Sequence, residues 1–344
     1  MPQVVDHLAE LTGFRDRDVM DVTLVTALRD LLETPASVAI YRCVGEPGQQ
    51  RWLTRARLRA EDTVATADSV WVDPDRLPRL EDVPRRHQCL KERAILQDRD
   101  QKQWVTYFPL ATEREVIGVL ELQSSSRPRP DAQRLVTSVL RIYHNFQGLL
   151  DYSERDTLTG LLNRKTFDES FLKAVSELPL RAAGAQEERR QAEKHPRYWL
   201  GVLDIDHFKS INDRFGHLIG DEVLLLLSRL MRNTFRFNDL LYRFGGEEFV
   251  VLMRCENEED AALAFERFRH NTEHYAFPQV GRITVSIGFT QIRAGDSPAG
   301  AFERADKAVY HAKGNGRNQV QSHAVLIAGG QMSESSHTSD VELF

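Results

Sequence analysis

Apolar residues recur at helical spacing over residues 19–32, and the chain then switches to SVAIYRCV, residues 37–44, which reads as a strand. Farther along, residues 104–111 and 115–123 flank the short charged turn 112–114, a pattern that predicts a β-hairpin with one buried face and the innermost strands of the first half. After a proline-containing break at 125–130, Leu135, Val139, Ile142, Phe146 and Leu149 follow one another at spacings of 4, 3, 4 and 3, the period of a coiled-coil seam. The same stripe would serve a single amphipathic helix packed on its own domain. Its place between two halves favours a dimer-connecting helix that runs toward Arg155.

The second half alternates strand and helix. YWLGVLDID is followed by a helix through DEVLLLLSRLMRNTF, the hairpin LLYRFGGEEFVVLM, a helix near residues 261–274, the strand RITVSIGFTQI and a last helix near 302–313. The segment 181–197 is charged, Ala-rich and free of large apolar residues, so it reads as a solvent-exposed insert. The polar, Ser-rich end predicts a disordered tail. No internal repeat is visible.

Composition narrows the field only in part. A chain of 344 residues exceeds what one core usually organises, which predicts two domains. With 41% hydrophobic and 28% charged residues it is an ordinary globular sequence. Its longest apolar runs fall far short of a membrane span, and its first residues lack the features of a secretory signal, so a cytoplasmic protein is expected. A formal net charge of -6 leaves no basic footprint for nucleic acid. Cys43, Cys89 and Cys255 are odd in number and scattered, which points to reduced structural thiols in place of disulfides or a zinc site.

The chemistry concentrates in two acidic edges. At the hairpin tip, Gly245 and Gly246 supply backbone freedom and Glu247 and Glu248 supply carboxylates. The strand ending at Asp204, Ile205 and Asp206 carries two more, placed on one face by strand alternation. Oxygen-rich clusters of this kind suit Mg²⁺ or Mn²⁺, although either edge alone would more often be a solvated strand end or a polar turn.

Together with DIDHFK (204–209), Asn212 and Asp213, Phe215 to His217, Gly220 and Asp221, GGEEF (245–249), KGNGRN (313–318) and the opening DTLTGLLNR (156–164), these edges resemble the GGDEF-domain diguanylate cyclases. The resemblance covers about residues 152–322, interrupted by one early insert. It implies a nucleotidyl-cyclase-like domain with a central, mainly antiparallel sheet flanked by helices, and a dimeric enzyme that condenses two GTP into cyclic di-GMP. It implies that Asp204, the Ile205 carbonyl, Glu247 and Glu248 hold two Mg²⁺ or Mn²⁺ per site, with Glu248 beside the attacking hydroxyl. His207, Phe208, Lys209, Lys313 and Arg317 would receive the phosphates, and Asn212 and Asp221 would read guanine. Asp221 suits GTP over ATP, because a carboxylate accepts from both guanine N1–H and its amino group. His217 is read as structural. Arg236 and Asp239, with Arg267 as a third member, would form the inhibitory product site of the family.

The order helix, strand, variable middle, hairpin, long helix resembles a GAF-type sensor domain. The expected organisation is therefore an α+β or α/β two-domain protein: GAF-like sensor 1–130, connecting helix 131–155, GGDEF domain 156–322 and tail 323–344. The sensor's signal, a small molecule or a protein, is not identifiable; Trp52, Trp71, His87 and Trp104 would line a pocket or simply fill the core. The competing functional reading is a nucleotide-binding module without turnover, against which the intact Asp204, Lys209, Asp221, Glu247 and Glu248 argue.

Overall fold

The structure, a computed structural model, describes residues 2–13, 16–32, 35–45, 48–69, 72–100, 103–111, 116–176 and 197–333. The chain forms two compact units, Met1–Ser153 and Glu154–Phe344. The hairpin turn at 112–114, Trp71 and nearly all of the insert 181–197 lie outside the described residues.

In the first unit, α1 (Pro2–Gly13) and α2 (Arg17–Leu31) precede β1 (Pro35–Val44) and β2 (Arg51–Arg59). The Asp16 side chain caps α2 by accepting from the Asp18 and Val19 amides. After α3 (Pro84–Glu92) come β3 (Leu96–Asp100), β4 (Gln103–Ala111), β5 (Val116–Ser124) and the long α4 (Pro130–Glu154). The sheet is antiparallel, in the order β2-β1-β5-β4-β3. Strand alternation splits its residues cleanly. Val38, Ile40, Phe108, Leu110, Leu120 and Leu122 face a core shared with α1, α2 and α4. Ala39, Tyr41, Trp52, Val105, Tyr107 and Val119 face the other way, onto Leu80 and Cys89.

The seam expected on α4 is not the face the helix buries. Val136, Val139, Tyr143, Gln147 and Leu150 are buried, so of the 135/139/142/146/149 stripe only Val139 is. Leu135 and Phe146 pack at the margin of the same core. Leu149 and Tyr152 stay 66% and 79% exposed.

The second unit contains β6 (Leu162–Asn163), α5 (Arg164–Ser176), β7 (Arg197–Ile205), α6 (Phe208–Phe215), α7 (His217–Thr234), β8 (Leu240–Gly245), β9 (Glu248–Cys255), α8 (Glu258–His274), β10 (Val285–Gln291), α9 (Pro298–Gly314), β11 (Val320–Ser322) and α10 (His323–Ala328). The sheet order is β11-β10-β7-β9-β8-β6. The pairs joining β10, β7, β9 and β8 are antiparallel, and only the short outer pairs β10·β11 and β6·β8 are parallel.

Central β7 is buried at every position from Tyr198 to Ile205, the signature of a strand covered on both faces. Two glycines let helices close on it. A Cβ at Gly201 would lie 2.2 Å from the Phe265 ring of α8, and one at Gly288 would lie 2.2 Å from the Ala305 carbonyl of α9. Because Gly201 pairs with Phe289 and Gly288 with Val202, the two approaches fall on opposite faces.

The expected tail needs correction at its start. Residues 323–328 form α10, capped by Ser322 and anchored by buried His323 and Leu326, because LIA and its neighbours still carry apolar residues at helical spacing. Residues 334–344 lie outside the described residues. Burial pushes the Cys89 thiol up to about 12 and Cys255 up to about 11, so both stay protonated.

Candidate nucleotide and metal site

The site is built where β7 runs out. Asp204, its penultimate residue, is only 8% exposed and is register-paired with Glu248 on β9 and Ser286 on β10. The β8–β9 hairpin turns through Gly246 and Glu247; Gly246 has φ of 51°, the left-handed region that glycine enters freely. Arg243 braces this tip. Its Nε and Nη2 donate to the Gly246 carbonyl at 3.1 and 2.9 Å, while Nη1 donates to both Asp156 oxygens at 3.0 and 3.2 Å. Asp156 is itself fixed by the Thr159 amide and hydroxyl at 2.8 and 2.7 Å.

Negative charge is in excess here. Burial pushes Asp204 above the usual carboxylate range, opposed by Lys313, whose Nζ donates to Asp204 Oδ2 at 2.8 Å. Glu247 is raised by burial and then by Asp204. Glu248 is raised by burial, by Asp204 and by Asp306, and Asp306 is raised by burial in turn. Against these four carboxylates stand Lys313 and, for Glu248, Arg164. Carboxylate oxygens that repel one another are the donors hard divalent cations prefer, so the set fits Mg²⁺ or Mn²⁺. It is an open set: Asp204, Glu247 and Glu248 are gathered by register and charge, not closed into a cage, as suits a cation that also takes substrate phosphates. Ile205, whose carbonyl was expected to join them, is the buried last residue of β7.

Asp206 departs from the expectation that it joins Asp204. The strand has already ended, and its carboxylate accepts from Thr284 Oγ1 and Ser286 Oγ at 2.7 Å each and from the Asn318 amide at 3.0 Å. It is a clamp between β10 and the 315–318 loop. In that loop Arg317 and Asn318 both hold positive φ, 63° and 45°.

The remaining residues flank this centre. His207, with φ of 60°, opens α6 without a side-chain cap, followed by buried Phe208 and exposed Lys209, so the first-turn amides are not satisfied by a side chain. Asn212 on α6 packs against Gly220, where a Cβ would lie 1.9 Å from its Oδ1, and exposed Asp221 follows Gly220 in α7. Arg317 is exposed at the end of the strained loop.

A second cluster lies between α7 and β8. The Asp239 carboxylate folds back onto its own turn, accepting from the Arg236 backbone amide at 2.8 Å, and not from the guanidinium. Burial pushes it up to about 6, against the opposing charges of Arg236 and Arg267. Arg267 donates to the Thr234 carbonyl at 2.9 Å. The three residues expected to act together are thus electrostatic neighbours.

Arg243 was not singled out from the sequence, and Asp156 and Asn318 lay inside quoted motifs with no role of their own. The Asp156-to-Thr159 spacing, three residues as in an N-cap bond from a side-chain oxygen to a backbone amide, was an available signal. In the first unit, Trp52 is buried with its Nε1 3.4 Å from the Leu80 carbonyl and Arg127 lies over Trp104. A cavity of about 260 Å³ is lined instead by Arg42, Phe108, Leu140, Tyr143 and His144 among others, and by neither tryptophan nor His87.

An antiparallel-dominated sheet covered by helices, with acidic residues at its hairpin tip, defines a nucleotidyl-cyclase-like α+β domain. Residues 153–319 match the family model "Diguanylate cyclase, GGDEF domain", and this part of the chain belongs to the GGDEF family. The chain is 37% identical over 207 residues to the probable diguanylate cyclase DgcT of Escherichia coli K12, covering 57% of this chain and 42% of that protein. It is 39% identical over 169 residues to the diguanylate cyclase DgcP of Pseudomonas aeruginosa, covering 48% of this chain and 23% of that protein. The chain thus spans less than half the length of these two curated relatives. Among solved structures, the GGDEF domain of DgcB from Caulobacter crescentus in complex with c-di-GMP is 32% identical, with 50% of this chain and 96% of that one covered and a TM-score of 0.43. Among the described residues, no helix is long and apolar enough to cross a membrane.

Proposed function

We propose that this protein is a diguanylate cyclase that joins two GTP into cyclic di-GMP and releases two pyrophosphates. The observation that carries the reading is the carboxylate excess of Asp204, Glu247 and Glu248 beside Lys313, set within a GGDEF domain. Two Mg²⁺ or Mn²⁺ ions held by Asp204, the Ile205 carbonyl, Glu247 and Glu248 would stabilise the entering 3′-oxygen and the departing pyrophosphate.

The chain's own residues do the rest. Lys209, Lys313, Arg317 and the first amides of α6 receive the phosphates, and Asn212 and Asp221 read the guanine edge. Each 3′-hydroxyl loses its proton, with Glu248 nearby, as its oxygen bonds to the α-phosphorus of the other GTP and the bond to pyrophosphate breaks. Two such transfers close the ring, so two domains must face each other and the working form is a homodimer. Product bound by Arg236, Asp239 and Arg267 lowers the rate, Arg matching the O6 and N7 edge of guanine. The first unit is a GAF-like sensor whose small-molecule or protein signal acts through α4.

The test is turnover of GTP by the purified chain with Mg²⁺. Cyclic di-GMP and pyrophosphate are expected, and Glu247→Ala is expected to lose at least about a hundredfold in rate while still folding. GTP binding without product in the unaltered protein would make the domain a sensor of nucleotide and overturn the assignment.

A further inference from the structure

The last turn of α8 carries His270, Glu273 and His274, and none of them has a part in the site above. Their ligand atoms all lie within 4.8 Å of one another, a trio of metal-ligating side chains at the domain surface. His-x-x-Glu-His is a spacing that recurs in zinc-binding helices, because residues three and four apart stand on one face. The two imidazole rings lie 4.0 Å apart between centroids.

Two details prepare the trio for a metal. His274 Nδ1 is 2.9 Å from the His270 carbonyl oxygen, which can only accept, so Nδ1 carries the proton and Nε2 keeps the lone pair a metal needs. Glu273 is held on both oxygens: Oε2 accepts from Arg269 at 2.8 Å and Oε1 from the Asn318 amide nitrogen Nδ2 at 2.8 Å. Those bonds hold the Glu273 carboxyl below the usual carboxylate range, ionised at neutral pH. Each oxygen retains a second lone pair. Carboxylate orientation by neighbouring donors is what supports ligands in metal sites.

We propose that His270, Glu273 and His274 form a binding site for a divalent transition metal of the zinc type, coupled through Asn318 to the loop that carries Arg317. Two imidazoles and a carboxylate select Zn²⁺, Co²⁺ or Cu²⁺ over Mg²⁺, so the site is chemically distinct from the all-oxygen set at Asp204. The coupling runs through a short chain of bonds. Glu273 bonds Asn318, whose own amide bonds Asp206, and Arg317 precedes Asn318 in the left-handed stretch. A cation on Glu273 competes for the oxygen charge that holds Asn318, so metal loosens the loop and weakens nucleotide binding. This second half rests on the proposed GTP site; the first half does not.

The experiment uses the full chain, stripped with chelator and returned to saturating Mg²⁺. Titration with Co²⁺ is expected to give a visible absorption band of a nitrogen-ligated ion at one equivalent, displaced by Zn²⁺. His274→Ala and His270→Ala, both at exposed positions, are each expected to weaken binding at least about tenfold. An unchanged Co²⁺ spectrum and affinity in both variants would overturn the site, whatever the enzyme does. With a non-reacting GTP analogue, Zn²⁺ is expected to lower nucleotide affinity severalfold in the unaltered chain and not in His274→Ala, and the analogue to lower Zn²⁺ affinity by the same factor. Metal binding with no change in analogue affinity would overturn the coupling and leave the site standing.

Discussion

Both units bury charged groups, and they treat them in opposite ways. In the first unit, Asp21 is buried, but its carboxylate accepts from the Tyr143 hydroxyl and from Arg55 Nε at 3.1 Å, with Arg42 at 3.7 Å. On the other face of that sheet, Arg86 donates to Glu121 at 2.8 Å while lying 3.4 Å above the Tyr41 ring. Among the described residues, each buried charge there, Asp21, Arg86 and Glu121, has a protein partner of opposite sign. In the second unit, buried Asp204 is joined by half-buried Glu247 and by Glu248 and Asp306 at exposed positions; together they outnumber Lys313, and all four are pushed up. Fully paired burial holds a fold together, whereas a cluster of unbalanced charge around one buried carboxylate keeps donors in readiness for something from outside.

Removing one carboxylate from each place should therefore have inverse consequences. Asp21→Asn leaves Arg55 and Arg42 buried with less counter-charge, and the first unit is expected to lose about 3–5 kcal/mol of stability, read by denaturant unfolding. Asp204→Asn is expected to lower cyclic di-GMP formation at least about a hundredfold. Its stability at pH 7 should be equal to or above that of the unaltered chain. The sign follows from the raised folded pKa: the group's stabilising contribution is present when protonated and is lost as pH rises through the folded value. A large stability loss in Asp204→Asn would place that residue with the paired charges.

How much of this was legible in the sequence depends on the range of the interactions. The hairpin tip at 245–248 and the strand end at Asp204 could be read directly, because turn chemistry and strand alternation are local and the motif spacing is specific. The Arg243 brace on Asp156 and the Asp206 clamp on Asn318 span 87 and 112 residues of chain, and no local pattern announces such pairs. The Asp206 case also shows where alternation fails: it holds only while the strand continues, and β7 stops at Ile205. On α4 the heptad spacing was real, yet Tyr143 and Gln147 are buried by a polar network that hydrophobic periodicity does not register; Gln147 Nε2 donates to the Tyr143 hydroxyl at 2.7 Å.

A single helix, α4, presents both a face packed on the core of its own unit and an exposed apolar face. Phe146 packs on its own domain's core, so Phe146→Asp is expected to destabilise the first unit by about 3 kcal/mol or more. Leu149 and Tyr152 are exposed, and Leu149→Asp with Tyr152→Asp is expected to leave stability within about 0.5 kcal/mol while weakening self-association about tenfold. Sedimentation and thermal unfolding on the same samples separate the two. Self-association untouched by the Leu149 and Tyr152 changes would remove α4's outer face from the dimer proposal.

The smallest expected effect concerns Asp239, which stands between the two patterns: burial raises it to about 6, yet it has a local donor in the Arg236 amide and two arginines nearby. As a reader of guanine N1–H and its amino group it must be ionised, because a protonated carboxyl presents a donor where an acceptor is required. Affinity for cyclic di-GMP at this cluster should then be level above pH 7 and fall by up to about tenfold per unit below 6. Stability runs the other way. A folded pKa of about 6 lies above the unfolded value of 3.8, so the favourable contribution is complete below 3.8 and is lost as pH rises through 6. Asp239→Asn, which cannot ionise, should bind product weakly at every pH and should gain in melting temperature over the unaltered chain more at pH 7 than at pH 5. Calorimetric titration of cyclic di-GMP between pH 5 and 8 decides it: an affinity that is flat across that range in the unaltered protein would mean that the carboxylate only closes its own turn and takes no part in holding product.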